Sequence, residues 1–349
     1  MSAPPEPVLF LSDLQNLRID IRGVNALLAA NKLIYPNMKR KVYKMLSFNI
    51  LTEENAEEIY AGLLPIIGGD DMLGDVIGSF LEVASEGAEV ALSGSDGCLL
   101  VRIYDDGKYS FVYPIELGED ADPDAALLSL AEYTVREMVP FYLTDTPREE
   151  LDRLSRLFLH VDARAYDDDD DVFVALVYSE CDMLESPPTY SEGGITLSEI
   201  TDEDGERYAA LVRSPEVNKW WGYDYREDAP DADVGYFLDT VRVEFYSGIA
   251  ISLAVREGGL SDKLIGEGVI FDFNYRGGAM IAVRLLPEYR GRGIGKAAFR
   301  ALISLSREIG LRLVRADVMC ENLPSIKMCE ACLERLPDDE GKARFELSL

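Results

Sequence analysis

The spacing of apolar and polar positions is clearest from Ile195 onward. ITLSEI alternates like a half-buried strand, and EDGERYAALVRS sets Tyr208, Leu211 and Val212 on one side of a helix. SPEVNKWWGYDYREDAPDAD follows neither period and reads as a polar, aromatic-rich loop. DVGYFLDTVRVEFYSG predicts a second helix closed by Gly248. IAISLAVRE, KLIGEGVIFDF and AMIAVRLL are rich in β-branched residues and predict three strands. A helix from Gly295 to Ile309, a buried strand LRLVRADVM, a helix over PSIKMCEACLERL and an alternating strand ARFELSL complete the chain. The order β-α-α-β-β-β-α-β-α-β is that of a mixed α/β (α+β) domain.

The half before it is less regular. TEENAEEIYAGLL and DPDAALLSLAEYTVREMV predict helices, and CLLVRIY, YSFVYPI and VFVALVYS predict strands. Between the halves, Pro, Ser and Gly cluster in LESPPTYSEGG, which divides the chain into a domain over 1–185, a linker over 186–194 and a domain over 195–349. No short-period repeat is present, which argues against a solenoid.

With 349 residues, two domains are the ordinary expectation. The net charge of −30 repels phosphate backbones and anionic lipid, so neither nucleic acid nor membrane is the expected partner. The same charge suits cationic ligands such as amines, and it also keeps a protein soluble. No apolar run approaches the roughly 20 residues of a membrane span. MSAPPEPVLFLSDLQ lacks the basic and apolar regions of a secretory leader, so a cytoplasmic protein is expected.

Cys329 and Cys332 form a C-x-x-C pair without a second pair or a partner histidine, so no zinc site, and no other metal, is expected. The acidic run Asp167 to Asp171 lacks the alternation and glycine of a calcium loop and reads as a solvated turn. His160, the single histidine, sits in the apolar run RLFLHVD and reads as packed or superficial, which disfavours a hydrolytic triad.

The chemistry concentrates between Val283 and Gly310. A strand runs through Pro287 into a loop with Gly291, Gly293 and Gly295, and the loop opens a long helix. Such glycines let successive backbone N–H groups curl inward, and the helix N-terminus adds its positive dipole end. Arg290, Arg292 and Lys296 add positive charge to a chain that is otherwise acidic. The result is an anion cradle of pyrophosphate size. It is neither G-x-x-x-x-G-K-[ST] nor G-x-G-x-x-G.

PEYRGRGIGKA, with Arg290, Gly293 and Gly295 as R-x-x-G-x-G, resembles the coenzyme A pyrophosphate loop of the GNAT acyltransferase superfamily. ADVMCENLPSIKMCE resembles the following strand and helix of ribosomal-protein alanine acetyltransferases, and the likeness covers roughly Ile195 to Leu349. It implies the GNAT fold and acetyl-CoA as cosubstrate. The coenzyme would be held by Arg290, Gly291, Arg292, Gly293, Ile294, Gly295 and Lys296 and flanked by Asn322 and Ser325. It further implies backbone N–H groups at Leu285 and Leu286 that bind the acyl carbonyl. Many relatives carry a Glu where this chain has Met280, which leaves the general base to Asp272, Glu267 or Asp317. The family's frequent acid, a Tyr seven residues after the Asn, is Cys329 here; a thiol with the ordinary pKa of about 8.5 can protonate a thiolate, but a cysteine on an apolar helix face is also simply packed. The acceptor pocket falls on Trp220, Trp221, Tyr223, Asp224 and Tyr225, whose aromatic rings and carboxylate suit a cationic amine.

The segment from Tyr109 to Phe158, with the strand near Val172 to Ser179, resembles the GNAT-like region of bacterial phosphatidylglycerol lysyltransferases but has no pyrophosphate loop. A tandem GNAT-like protein with a degenerate first copy is therefore expected. The leading function is an N-acetyltransferase for a small amine or a protein N-terminus. Its rivals are a non-catalytic coenzyme A-binding or sensor protein and an aminoacyl transferase.

Overall fold

Two runs of strands, each interrupted by helices at the same places, build two sheets of the same design. The computed structural model describes residues 46–68, 72–105, 107–137, 139–166, 169–221, 234–339 and 341–349, which lie in a single unit from Lys39 to Leu349. In the first half, β1 (Asn49–Ile50) leads to α1 (Ala56–Ile67) and α2 (Leu73–Ser85). There follow β2 (Glu89–Ser95), β3 (Cys98–Asp105), β4 (Lys108–Val112) and the short β5 (Ile115–Glu116). Then come α3 (Pro123–Glu137), β6 (Tyr142–Pro147), α4 (Leu151–Leu157), β7 (His160–Tyr166) and β8 (Asp169–Tyr178).

The second half opens with β9 (Tyr190–Glu192) and β10 (Ile195–Ser198), then α5 (Gly205–Val212), α6 (Pro215–Asn218) and α7 (Val234–Tyr246). β11 (Ala250–Glu257), β12 (Gly266–Phe271) and β13 (Gly278–Leu285) form a meander. The chain continues through α8 (Ile294–Glu308), β14 (Leu313–Met319), α9 (Leu323–Glu330), β15 (Glu334–Asp339) and β16 (Lys342–Ser348).

The first sheet is ordered β1-β2-β3-β4-β6-β8-β7 and the second β9-β10-β11-β12-β13-β14-β16-β15. In each, antiparallel strands lead to one parallel step, β4 to β6 or β13 to β14, made by a crossover helix; the final strand then inserts ahead of its predecessor. With β9 set aside as an extra edge strand, the two halves share one topology. The fold is a tandem of two mixed α/β units of the same strand order. β9 lies inside the stretch read as a linker and pairs with β10 through Thr196 and Ser191.

The reason α8 forms is visible in its spacing. Ile294, Ala298, Ala301, Leu302 and Leu305 recur along one face and are buried against Ile281 and Leu285 of β13 and Val314 and Phe345 of the neighbouring strands. The opposite face of this sheet is covered by α5, α6 and α7 through Tyr208, Leu211, Val217, Phe237 and Val241. Both faces of β13 are thus buried, as expected of a strand at a parallel step.

One predicted element changes type. PSIKMCEACLERL is helical only to Glu330, and its last turn closes with the N–H groups of Cys332 and Leu333 both on the Cys329 carbonyl (2.9 and 2.7 Å). The chain then straightens into β15, with Arg335 opposite Phe345 of β16. Pairing with the C-terminal strand overrides the helical spacing. Among the described residues no helix is long and apolar enough to cross a membrane.

Candidate functional site

β13 and β14 are paired only at Gly278–Leu313, Ala279–Val314 and Met280–Arg315. Beyond Met280 they diverge while β13 stays paired with β12, leaving a wedge that opens toward the loop after Leu285. Antiparallel strands direct alternate N–H groups to opposite edges. The Leu286 N–H donates to the Ile265 carbonyl at 3.0 Å, which sets the phase. Residues 282, 284 and 286 therefore turn toward β12, and Val283 and Leu285 direct their N–H groups into the wedge. Of the two donors expected from the sequence, Leu285 directs its N–H into the wedge, as Val283 does, whereas the Leu286 N–H is engaged by the Ile265 carbonyl.

The loop closes the wide end of the wedge. Gly291 and Gly293 adopt left-handed φ angles of 73° and 83°, which other residues rarely accept. A Cβ built at either would meet no atom within 4 Å, so each faces open space. Gly293 is the N-cap of α8 and makes no side-chain cap, so the first-turn N–H groups of the helix point into the loop. This turn has no acidic residue and carries the exposed Lys296. A cation opposes the helix dipole there, and an anion bound at the same end removes the conflict. These features fit the pyrophosphate of a coenzyme A thioester. A Cβ at Gly295 would lie 3.6 Å from Leu285 Cδ1 and 3.8 Å from Met328 Sδ, which packs the loop between β13 and α9.

The loop arginines have structural partners. Arg290 donates from Nε to the Leu285 carbonyl (3.1 Å) and from Nη1 to Glu216 of α6 (2.9 Å). It braces the loop against the strand end and the helix. Arg292 reaches both oxygens of Glu257 at 3.0 Å. Asn322 is the N-cap of α9 and accepts from the Ser325 N–H at 3.4 Å, so both residues hold that helix start in place.

On the face covered by α5 to α7, Arg284 is buried with Glu267, at 2.6 Å from its Oε2. Tyr208 donates to the other Glu267 oxygen at 2.9 Å, and Arg284 donates to Asn218 at 3.2 Å. Trp221 stacks on the guanidinium, 4.4 Å from ring centroid to Cζ. Glu244 of α7 adds a second carboxylate to this group. Burial, then the Glu267 charge, push its carboxyl up to about 7, with Arg284 pulling the other way. Sequence reading missed Glu244, Arg284, Tyr208 and Asn218. A lone arginine in the apolar run IAVRLL and a lone glutamate in IGEGVIF were the available signal.

The proposed bases and acid separate on inspection. Glu267 is locked by Arg284 and Tyr208. Asp272 occupies the β12–β13 turn with φ 54°, at the closed end of the wedge, about 17 Å of strand from Leu285. Asp317 is exposed, two positions past the last β13–β14 pair, and on the same face as Arg284 because the paired Met280 and Arg315 share a face. Cys329 is buried in the core with Ile326, Leu333 and Phe345, and burial first pushes its thiol up to about 12. A packed side chain is what that environment describes. The Lys219 ammonium lies 4.6 Å from the centre of the Trp220 ring. Tyr223, Asp224 and Tyr225 lie outside the described residues. Among the described residues no group of three His, Cys, Asp or Glu side chains is placed to hold a metal ion.

Among the described residues the first half has no equivalent cradle. Its wedge narrows where the Tyr113 N–H donates to the Thr144 carbonyl (3.1 Å). The loop before α3 reads Leu117-Gly118-Glu119-Asp120-Ala121-Asp122, and the Asp122 carboxylate already accepts from the Ala125 N–H at 3.1 Å. Negative charge stands where the second half has positive. A Cβ at Gly118 would come within 2.2 Å of the Ile67 carbonyl oxygen, so the loop is packed shut.

Residues 195–332 match the family model described as an acetyltransferase (GNAT) domain. Among solved structures, the chain is similar to spermidine N-acetyltransferase from Vibrio cholerae in complex with CoA and spermine, with 15% identity over 45% of this chain and 96% of that one and a TM-score of 0.38. It is similar to an acetyltransferase from Agrobacterium tumefaciens, with 19% identity, coverage of 48% and 97%, and a TM-score of 0.39. Similarity to RimJ of Mycobacterium smegmatis in complex with CoA-disulfide has 16% identity, coverage of 46% and 88%, and a TM-score of 0.39. No curated protein matches the chain.

Proposed function

We propose, from the premise that residues 195–332 are a GNAT-type acyltransferase domain, that the protein transfers the acetyl group of acetyl-CoA to a primary amine by direct attack. The observation that carries this reading is the continuity of the β13–β14 wedge with the left-handed Gly291–Gly293 loop at the start of α8. A thioester whose diphosphate sits in the loop runs its acyl arm along the N–H groups of Leu285 and Val283. The Val283 N–H then faces the acyl oxygen and supports the charge that develops on it. Arg290 keeps the end of β13 and the loop in register through the Leu285 carbonyl.

The acceptor approaches from the face of Trp221, Arg284 and Asp317. Glu244 is the best general base there, because a carboxyl near 7 both holds and releases a proton at neutral pH. The amine nitrogen bonds to the acyl carbon, the carbon–sulfur bond breaks, the ammonium proton passes to the carboxylate, and the thiolate takes a proton from solvent. A small amine or a protein N-terminus fits this chemistry. In this reading residues 195–349 are the catalytic domain, 186–194 join it to the first, and 1–185 are a degenerate copy that has lost the coenzyme.

The test is thiol release from acetyl-CoA with a panel of primary amines. Amine-dependent release supports the transferase. The burial of Cys329 favours a second reading, a coenzyme A-binding protein without turnover. Tight binding with no release by any amine supports that one instead.

A further inference from the structure

One residue of the second half is gripped by the first. Tyr275 stands in the turn between β12, which ends at Phe271, and β13, which starts at Gly278. Its backbone is left-handed, with φ 58°, a conformation that a bulky aromatic residue keeps only where its surroundings hold it. The ring packs on the core of the first half, its centroid 5.3 Å from that of Phe141, which meets Phe158 edge-on at 5.4 Å. The Leu159 N–H, just before β7, donates to the Tyr275 carbonyl at 3.0 Å. The phenol reaches Thr134 of α3, and burial pushes it well above its ordinary pKa.

The same turn is the apex of the wedge. The Asn274 side-chain oxygen accepts from the Arg276 and Gly278 N–H groups, each at 2.9 Å. The Gly277 carbonyl accepts from the N–H groups of Arg312 and Leu313 at 2.7 and 3.1 Å. A Cβ at Gly277 would stand 3.1 Å from Leu159 and 3.3 Å from the Arg312 side chain, so both halves crowd this point. Gly278–Leu313 is the first of the three β13–β14 pairs. Val283 lies three residues beyond the last of them, about 10 Å of strand. A tilt of β13 by about 5° at the apex therefore moves the Val283 N–H by about 1 Å.

We propose that Tyr275 is a positioning residue, the point at which the first half sets the angle of the wedge in the second. This rests on the transferase reading, in which the Val283 N–H faces the acyl oxygen. With the ring held by Phe141 and the backbone by Leu159, the apex resists tilting, and the N–H stays aligned with the charge that develops on that oxygen. The diphosphate cradle lies at the far end of β13, where Arg290 braces it on the Leu285 carbonyl and Glu216. Loss of the grip therefore falls on the chemical step and spares coenzyme binding. A misplacement of about 1 Å at the reacting groups costs up to about 10²-fold in rate.

The experiment compares the full chain as wild type, Tyr275→Phe and Tyr275→Asn, the last because asparagine tolerates the left-handed backbone while removing the ring. Three quantities are read: kcat with an active amine, acetyl-CoA Kd by calorimetry, and amide exchange over Gly278–Met280 and Leu313–Arg315. Tyr275→Asn should lose about tenfold or more in kcat and keep Kd within about twofold, while its ladder amides exchange about tenfold faster. Tyr275→Phe, which keeps the ring on Phe141, should stay within about twofold of wild type in all three. A folded Tyr275→Asn with wild-type kcat or wild-type ladder exchange overturns the proposal, as does a Tyr275→Phe that loses as much as Tyr275→Asn. Should Tyr275→Asn not fold, Phe141→Leu loosens the same contact from the other side and is judged by the same outcomes. Should wild type neither bind acetyl-CoA nor release thiol, the transferase reading fails by itself. The ladder exchange, which needs no coenzyme, then decides the grip: faster in Tyr275→Asn upholds it and level overturns it.

Discussion

Arg284 and Glu267 sit directly opposite each other on β13 and β12, both side chains 3% exposed and 2.6 Å apart. The pair anchors a buried polar group: Trp221 lies on the guanidinium, Asn218 accepts from it, and Tyr208 holds the second carboxylate oxygen. Removing one partner leaves a buried charge without its counterpart. Glu267→Gln should cost about 3–5 kcal/mol, measured by denaturant unfolding. A loss below about 1 kcal/mol would mean that water or another group replaces the pair.

In the proposed reaction Glu244 sets the pH dependence. With a carboxyl near 7, kcat/KM should rise with pH through that value as the carboxylate form appears, then level off. Glu244→Gln should lower kcat by about 10²–10⁴-fold and abolish this acidic limb. A profile unchanged in shape would move the base to another residue, Asp317 first.

In the proposed site Trp221 should serve acceptor binding and not coenzyme binding. Trp221→Ala removes the ring over Arg284 and should raise the acceptor KM about tenfold while leaving the coenzyme Kd within about twofold, as loss of roughly 1.4 kcal/mol implies. Equal weakening of both ligands would place the ring in the wedge itself.

A second buried pair, away from the site, carries a different pH signature. Asp204 accepts from Arg256 at 2.9 and 2.7 Å and from the Thr201 backbone at 3.0 Å. Burial opposes its charge, but the bonds from Arg256 and Thr201 outweigh it and hold the carboxyl below the usual range. Such a group adds stability above the unfolded value of about 3.9 and loses it as pH falls through the folded value. Wild type should exceed Asp204→Asn in stability at pH 7, and the gap should shrink steadily below about pH 4.

Much of this was legible in the chain. Short, strongly periodic elements from Ile195 to Phe345 and the glycine loop at Gly291–Gly295 are local signals, and the structure has them in the predicted order. The failures are those in which distant residues decide. The stretch after Cys329 has helical spacing, yet β16 recruits it as a strand. Leu286 looked like a free donor because the phase of β13 against β12 is set by Ile265, not by the residue itself. α2 was missed because Gly74 and Gly78 interrupt a helix that packing sustains through Leu73 and Ile77. Glu244 carries no local mark at all. Its meaning comes from Glu267 and Arg284, which only folding brings beside it.

The central claim, a coenzyme cradle at Gly291–Lys296, is tested most directly by calorimetric titration of acetyl-CoA onto wild type, Gly291→Asp and Gly291→Asn. Aspartate and asparagine both tolerate the left-handed backbone at this position, and a Cβ there meets no neighbour within 4 Å, so both variants should fold. The account predicts micromolar binding to wild type and a loss of about tenfold or more in Gly291→Asp relative to Gly291→Asn, since only the aspartate adds negative charge to the cradle. No binding to wild type, or equal binding to the two variants, would contradict it.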